Sequence, residues 1–337
     1  MQLIRGWHNL RPEHRGNVAT IGNFDGVHLG HQTILQQVRE KAAVLNLPAT
    51  VIVFEPQPRE FFAGDQAPAR LHRFREKVER LASYGAERVV CLKFDPALRN
   101  LTAEAFIQTL LVKKLGVSHL VVGDDFRFGC DRAGDFHLLQ SWGKKQGFTL
   151  EHTRTFELDE ERISSTRVRT TLASGNLAGA ARLLGRPYAL ASRVVHGRKL
   201  GRTLGVPTAN LLLGIRKPAL NGVFCVMARL PDGQCFPGVA NIGLRPTVDG
   251  TLPALEVHLL GLNAHLYSQR IEVTFLARLR NEKKFADVGA LQQAIHQDIA
   301  HALAYFQQQD ATWRSGQAWP QAGLTGLLAS APLDIQE

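Results

Sequence analysis

The sequence predicts an α/β domain built on a doubly wound parallel sheet, followed by a small antiparallel β-barrel with a long helix. Three observations carry this. Short apolar runs alternate with helical patterns through the first half of the chain; after Arg186-Pro187 the pattern changes to short strand-like runs broken by Gly and Pro; and a long amphipathic stretch follows them. With 337 residues, 45% hydrophobic and 21% charged, the chain has room for about two domains and is not a mainly disordered polymer.

In chain order, Asn17 to Asn23, Ala49 to Glu55, Glu87 to Phe94 and Ser118 to Asp125 read as short buried strands. Between them, His31 to Leu47 repeats Ile34, Leu35, Val38, Ala42 and Leu45 at helical spacing, and Thr102 is an N-cap for a helix over Ala103 to Leu115. Strand and helix alternating at these lengths need crossover connections, hence parallel strands, and ligands in such sheets sit at the carboxyl ends of the strands. In the second half, Gly222 to Leu230, Gln234 to Ala240, Leu255 to Leu260 and Arg270 to Leu276 read as strands, with Pro231-Asp232-Gly233 as a hairpin turn. Asp287 then caps a helix whose stripe is Leu291, Ile295, Ile299, Ala302, Leu303 and Phe306. The expected domains are 1–185 and 186–310, with 311–337 a loosely held tail containing several Gly, Pro and Ala.

The net charge of +10 is concentrated. Between Arg162 and Pro231 there are twelve Lys or Arg and no Asp or Glu, so the rest of the chain is slightly acidic. A stretch without carboxylates suits the approach of a polyanion, either nucleotide phosphates or nucleic acid; an ordinary solvated face is the alternative. That stretch has only Tyr188 and Phe224 as aromatics, too few for a base-stacking platform. No apolar run approaches the roughly 18 residues of a membrane span, and the start has no leader pattern, so a cytoplasmic protein without a membrane partner is expected. Cys91, Cys130, Cys225 and Cys235 have no C-x-x-C spacing and are expected to be buried thiols rather than metal ligands or disulfides.

Two glycine-rich segments carry the chemistry. Gly22-Asn-Phe-Asp-Gly-Val-His-Leu-Gly-His31 falls between a strand and a helix, where glycines admit a ligand to the backbone and free N–H groups attract an anion. His28 and His31 can both face the helix entrance and donate to phosphate oxygens, although a histidine pair alone also suits a structural or metal role. Ser164-Ser165-Thr166-Arg167 is a hydroxyl cluster at a helix start, equally at home as a cap. The second segment, His196-Gly-Arg-Lys-Leu-Gly-Arg-Thr-Leu-Gly-Val-Pro-Thr-Ala-Asn210, is not a Walker P-loop, because it lacks that glycine spacing and a Gly-Lys-Ser/Thr end. Glu256 stands in an otherwise apolar strand, a place that also suits a water-facing carboxylate.

His28-Leu-Gly-His31 resembles the H-x-G-H signature of the nucleotidylyltransferase superfamily. The longer string, with Phe54-Glu-Pro-Gln-Pro-Arg-Glu60, Val122-Gly-Asp-Asp-Phe-Arg-Phe-Gly129, Ile163-Ser-Ser-Thr-Arg-Val-Arg169, Pro207-Thr-Ala-Asn210, Asn241-Ile-Gly-Leu-Arg-Pro-Thr247 and Leu255-Glu-Val-His-Leu-Leu260, resembles the bacterial bifunctional riboflavin kinase/FAD synthetase family. The likeness runs from about Asn17 to Phe306. It implies a Rossmann-like N-terminal domain that adenylylates FMN to FAD and a barrel that phosphorylates riboflavin. It further implies ATP as the co-substrate, FMN and FAD as the products, and Mg²⁺ held by Thr208 and Asn210. The catalytic roles it implies fall on Glu256, His28, His31 and Arg167. Phosphate contacts fall on Gly22, Asn23, Phe24, Asp25, Gly30, Ser164, Ser165 and Thr166 in the first site and on Gly197, Lys199, Gly201 and Arg202 in the second. Asp125, Arg127, Asn241 and Arg280 are implied near flavin or nucleotide, with ion pairing the alternative for Asp125 and Arg127. The implied partners are riboflavin, FMN and ATP, without nucleic acid; protein partners are left open. Gln57 stands where the family usually has His, and Gly261-Leu-Asn263 where it often has acidic residues. An adenylyltransferase-like domain joined to a basic nucleic-acid-binding module is the competing reading.

Overall fold

A computed structural model describes residues 1–320 except 124, 155, 198–200, 202–204, 216, 248–249 and 263, and beyond 320 only residues 324 and 327; the side chains of 245–252 are not described. The chain forms two compact units: Met1–Pro68 with Phe74–Ser164, and Ala69–Arg73 with Ser165–Glu337.

The first unit is a parallel sheet of β1 (Gln2–Arg5), β2 (Asn17–Ile21), β3 (Ala49–Glu55), β4 (Arg88–Lys93), β5 (Val117–Val122) and β6 (Thr149–His152), in the order β1-β4-β3-β2-β5-β6. A small antiparallel pair, β7 (Glu157–Leu158) and β8 (Glu161–Arg162), follows. Its helices are α1 (Leu29–Leu45), α2 (Pro58–Ala63), α3 (Phe74–Ser83), α4 (Pro96–Arg99), α5 (Ala103–Phe106) and α6 (Phe136–Gln146), with α5 running on into wide π-type turns over Ile107–Lys114. Alternate residues of a strand point to opposite faces, and both faces here are covered. Val51 and Val53 pack with Leu35 and Leu81, while Ile52 packs on the other side with Ile107, Leu110 and Leu120. Thr102 caps α5 as expected, its hydroxyl accepting from Ala105 N at 3.1 Å.

The strand order reverses at β2. From there β3 and β4 lie on one side and β5 and β6 on the other, so the crevice beyond the carboxyl ends of β2 and β5 is the topological switch point. The edge strands β1 and β6 were not legible beforehand, because four residues with polar ends carry too little period to register.

The second unit begins with α7 (Ser165–Ala173) and α8 (Leu177–Leu184). It continues as a closed barrel of β9 (Ala189–Val195), β10 (Ala209–Leu212), β11 (Gly222–Arg229), β12 (Cys235–Thr247), β13 (Gly250–Leu259) and β14 (Arg270–Arg280). The strands run β10-β13-β12-β11-β14-β9, and β9 closes the ring by pairing with β10. Phe224 and Phe275 meet edge-to-face at 5.4 Å, Phe224 lying on the face of β11 opposite Val223, Cys225 and Met227. Those three join a second core with Ala302, Tyr305 and Phe306 of α9 (Val288–Gln309), which packs against the barrel's outer wall. Asp287 caps α9, its carboxylate accepting from Ala290 N at 2.8 Å.

The expected loosely held tail is corrected over its described part. Trp313 and Trp319 are 1% and 2% exposed and pack on Phe306 with ring centroids 5.9 and 5.7 Å away. Trp319 N donates to Cys235 O at 2.6 Å and Gly316 N to Leu260 O at 2.9 Å. Gly and Pro suggested looseness, but two tryptophans bury enough apolar surface to hold the segment down. Cys91, Cys225 and Cys235 are buried as expected, whereas Cys130 is only partly so.

Two candidate active sites

In the first unit, three of the singled-out segments follow three adjacent strands. Gly22–His31 follows β2, Pro56–Glu60 follows β3, and Gly123–Gly129 follows β5, all at carboxyl ends beside the switch point. The Gly22–His31 turn departs from ordinary backbone: Phe24, Gly26 and Val27 have φ of 48°, 84° and 42°. A β-branched residue such as Val27 resists that region, and strain of this kind persists where the surroundings over-determine the loop. Phe24, Asp25, Val27 and His28 are buried. Phe24 is therefore a core residue: its ring lies 4.9 Å from the His31 ring, and a Cβ on Gly22 would come within 3.1 Å of it. Asn23 and Gly30 are partly buried in the same turn.

His28 is the N-cap of α1, its Nδ1 accepting the backbone N–H of His31 at 3.3 Å. A ring nitrogen that accepts carries no proton, so the neutral ring holds its proton on Nε2. His31 stacks on His28 with centroids 3.6 Å apart. Two imidazoles thus crown the start of a 17-residue helix, where uncapped N–H groups and the helix dipole favour an anion. A cavity of 1140 Å³ runs along α1 past Gln36 and Arg39, with neither histidine in its lining.

Asp125 is exposed and pairs with Arg162 at 3.3 Å, so the ion-pair alternative is realised; with both side chains mostly in water the pair adds little stability. Arg127 is exposed, with its guanidinium donating to Phe126 O at 3.0 Å. Gln57 is buried, its Nε2 has no hydrogen-bond partner, and its N–H donates to Glu60 at 2.9 Å. Ser164 ends the first unit. Ser165, Thr166 and Arg167 form the first turn of α7 in the second, and Arg167 is half-buried there.

In the second unit the sequence motifs meet in one cavity of 370 Å³ between the barrel's outer wall and α9. Glu256 faces Asn210 of β10 on one side and Asn241 of β12 on the other. Directly opposed residues share a face, so the three polar side chains form a row across adjacent strands. The same cavity has an apolar half, Val223 and Val239 from the barrel with Leu291, Ile295 and Ile299 from α9. Glu256 thus lies on the outer surface of the barrel but under the helix, not in open water.

Thr208 and Asn210 sit at the start of β10. Asn210 Nδ2 donates to Thr208 O at 3.3 Å, while its Oδ1 is buried and receives no hydrogen bond. Gly197 and Gly201 have a use not foreseen from the sequence. A Cβ on Gly197 would meet the Asn210 amide at 2.5 Å, and one on Gly201 would collide with Val206 O and approach Thr208 Oγ1 at 3.3 Å. A bare amide oxygen, a hydroxyl and a carboxylate are hard oxygen donors, so these residues fit a magnesium ion. Lys199 and Arg202 lie outside the described residues, as does Asn263.

Arg280 lines the cavity, but its guanidinium is held by Asp298 of α9 in a two-pronged contact at 2.8–3.1 Å. Sequence reasoning missed Asp298. It also missed His258, two residues beyond Glu256 on the same face of β13, whose Nδ1 is 2.8 Å from Pro207 O. Burial lowers its proton affinity. The period of two after Glu256 was the signal that could have found it. Glu282 lies against Gly243, where a Cβ would collide with its carboxylate, and burial raises its pKa.

A switch-point crevice beside two stacked imidazoles in one unit and a carboxylate–amide row in the other fit a nucleotide-dependent transferase. Comparison with known proteins makes this specific. Residues 10–167 match the FAD synthetase family model and residues 184–306 the riboflavin kinase model. The chain is 55% identical over 305 residues to the bifunctional riboflavin kinase/FMN adenylyltransferase of Pseudomonas fluorescens, covering 90% of this chain and 97% of that one. It is 50% identical over 307 residues to the enzyme of that name from Escherichia coli K12, covering 91% and 98%. A crystal structure described as a macrolide-efflux protein from Streptococcus pneumoniae aligns with a TM-score of 0.75 at 28% identity, over 93% of this chain and 100% of that one. The chain belongs to the bifunctional riboflavin kinase/FMN adenylyltransferase family. Among the described residues no helix is long and apolar enough to cross a membrane.

Proposed function

We propose that the chain makes FAD from riboflavin in two steps at two sites. The barrel transfers the γ-phosphoryl group of ATP to riboflavin, giving FMN and ADP; the first unit transfers AMP from a second ATP to FMN, giving FAD and pyrophosphate. The row Asn210–Glu256–Asn241 beside an apolar cavity wall is the observation that carries the kinase reading. The apolar half suits a flat ring system, and Glu256 in the polar half is the general base that takes the proton of the flavin's primary hydroxyl. Thr208 and Asn210 would hold Mg²⁺, which neutralises phosphate charge when bound. Gly197 and Gly201 shape that loop, while Lys199 and Arg202 are assigned to the phosphates from the sequence pattern. Asn241 is assigned to the flavin side, and Arg280, fixed by Asp298, positions α9 over the cavity.

For adenylyl transfer the nucleophile is already the phosphate anion of FMN, so orientation and charge stabilisation suffice without a base. His28 and His31 donate to the pyrophosphate as it leaves, Arg167 adds charge, and Gly22, Asn23, Asp25, Gly30, Ser164, Ser165 and Thr166 supply the phosphate-binding backbone and hydroxyls. Phe24 supports His31 from below. Asp125 and Arg127 are assigned to the loop that borders nucleotide or flavin. We assign adenylyl transfer to residues 1–185 and kinase activity to 186–310, in keeping with the family models, and count the described part of 311–337 with the kinase barrel on which it packs. The basic stretch serves ATP phosphates, not nucleic acid, and the enzyme works in the cytoplasm, where ATP is supplied. Incubation of the purified chain with riboflavin, ATP and magnesium, followed by chromatography of the flavins, should show FMN and then FAD. Riboflavin left unchanged would refute the assignment.

A further inference from the structure

We infer that His258 is a positioning residue for the metal-binding corner of the kinase site, acting through the carbonyl of Pro207. A carbonyl can only accept, so the His258 nitrogen 2.8 Å from Pro207 O is a donor and the neutral ring carries its proton on Nδ1. Pro207 has no N–H and stands before the first ladder pair of β10, Ala209 with Val257. The side-chain bond from His258 therefore extends the attachment of β10 to β13 beyond the end of the backbone ladder.

What it holds is the peptide leading into Thr208. The Thr208 carbonyl receives Asn210 Nδ2 at 3.3 Å, and that bond turns the amide so that Oδ1 is the atom left bare in the cavity. The chain of attachments is thus His258 to Pro207, Pro207 to Thr208, and Thr208 to the Asn210 amide. Loss of the first bond frees the peptide that orients both oxygen donors. His258 lines the cavity wall together with Glu256, Thr208 and Asn210, and its ring is tied to the strand start by the bond to Pro207 O. Partners that orient metal ligands in this indirect way commonly change metal affinity by 10- to 100-fold when removed.

The inference rests on the kinase reading, and the test separates the two. His258→Phe keeps a ring but removes the donor; His258→Asn offers an amide N–H near the place of Nδ1; His258→Gln sets its amide farther out, near the place of Nε2. In the full chain, Mn²⁺ binding in the presence of ADP is followed by the electron paramagnetic resonance of free Mn²⁺. The half-saturating Mg²⁺ for FMN formation and the KM for riboflavin are measured alongside. His258→Phe and His258→Gln should weaken Mn²⁺ at one class of site about tenfold or more and raise the Mg²⁺ requirement equally, with the riboflavin KM unchanged. His258→Asn should stay within threefold of wild type, and FAD formation from supplied FMN should be normal in all three. If His258→Phe fails to fold, the contrast between Asn and Gln decides. Wild-type metal dependence in the Gln variant, or equal damage from Asn and Gln, would overturn the inference; a wild-type chain unable to phosphorylate riboflavin would overturn the kinase reading instead.

Discussion

His28 Nδ1 accepts the backbone N–H of His31 at 3.3 Å while the two imidazoles lie 3.6 Å apart with planes 18° from parallel. One side chain thus ends a helix and fixes the orientation of its neighbour's ring. The cap leaves Nε2 as the only proton-bearing nitrogen of neutral His28, so the capping bond selects the tautomer that can donate to a phosphate.

Capping and chemistry can therefore be separated. His28→Asn retains a capping oxygen, whereas His28→Ala removes it, so the Ala variant should lose about 1 kcal/mol of stability and the Asn variant much less. Both should lose adenylyl transfer to supplied FMN by about 100-fold or more, since each lacks the second ring nitrogen. Thermal melts paired with FAD formation check this. Full activity in a stable Asn variant would leave His28 as a cap alone.

Gly197→Ala should act on the other site. Its Cβ would lie 2.5 Å from the Asn210 amide, displacing the bare oxygen that fits magnesium. The Mg²⁺ concentration for half-maximal FMN formation should rise about 10- to 100-fold, with adenylyl transfer untouched. An unchanged Mg²⁺ titration would show that the glycine does not shape the metal corner.

The kinase family model ends at residue 306, yet Trp313 and Trp319 are packed beyond it against Phe306. Trp313→Ala should destabilise the second unit by about 3–5 kcal/mol, the usual cost of emptying a buried tryptophan site. A fragment of about 183–310 should melt well below one that continues through 327. Equal melting temperatures, read by circular dichroism, would make the segment dispensable.

Thiol chemistry gives a fourth test. Burial pushes Cys91 from 9.0 up to about 11, and also raises Cys225 and Cys235. Raised pKa values mean less thiolate, so at pH 8 the ionised fraction of Cys91 is on the order of one in a thousand. Cys130 is raised chiefly by its hydrogen bond to Asp131, but it is the more accessible thiol. Iodoacetamide at pH 8 should modify Cys130 first in the native chain, and mass spectrometry would identify it. Labelling of Cys225 at the same rate would contradict the packed core.

The sequence made some of this legible and hid the rest for identifiable reasons. The inner strands β2 to β5 and helix α1 were visible because long apolar runs and helical spacing report burial on two faces, as Val51 and Ile52 show by entering opposite cores. The helix stripe Leu291, Ile295 and Ile299 was visible as apolar, but not as the roof of a cavity, because periodicity says that a face is covered and not by what. Glu256 stood out as a charge among apolar neighbours. Asp298 and His258 did not, since their meaning lies in partners 18 and 51 positions away, Arg280 and Pro207. Glycine content made the segment after 310 look loose, whereas its two tryptophans decide its placement.

Two independent centres in one chain is the central claim, and a mixing experiment tests it most directly. Glu256→Gln cannot accept the hydroxyl proton, so FMN formation should fall about 100-fold or more while supplied FMN still becomes FAD. His28→Asn should show the reverse, accumulating FMN from riboflavin. Each variant alone, given riboflavin, ATP and magnesium, should make almost no FAD, and the two mixed should restore its synthesis through FMN released by one and used by the other. Wild-type FAD formation by either variant alone, or a mixture no better than its parts with FMN present, would contradict the assignment of these two residues to two separate sites.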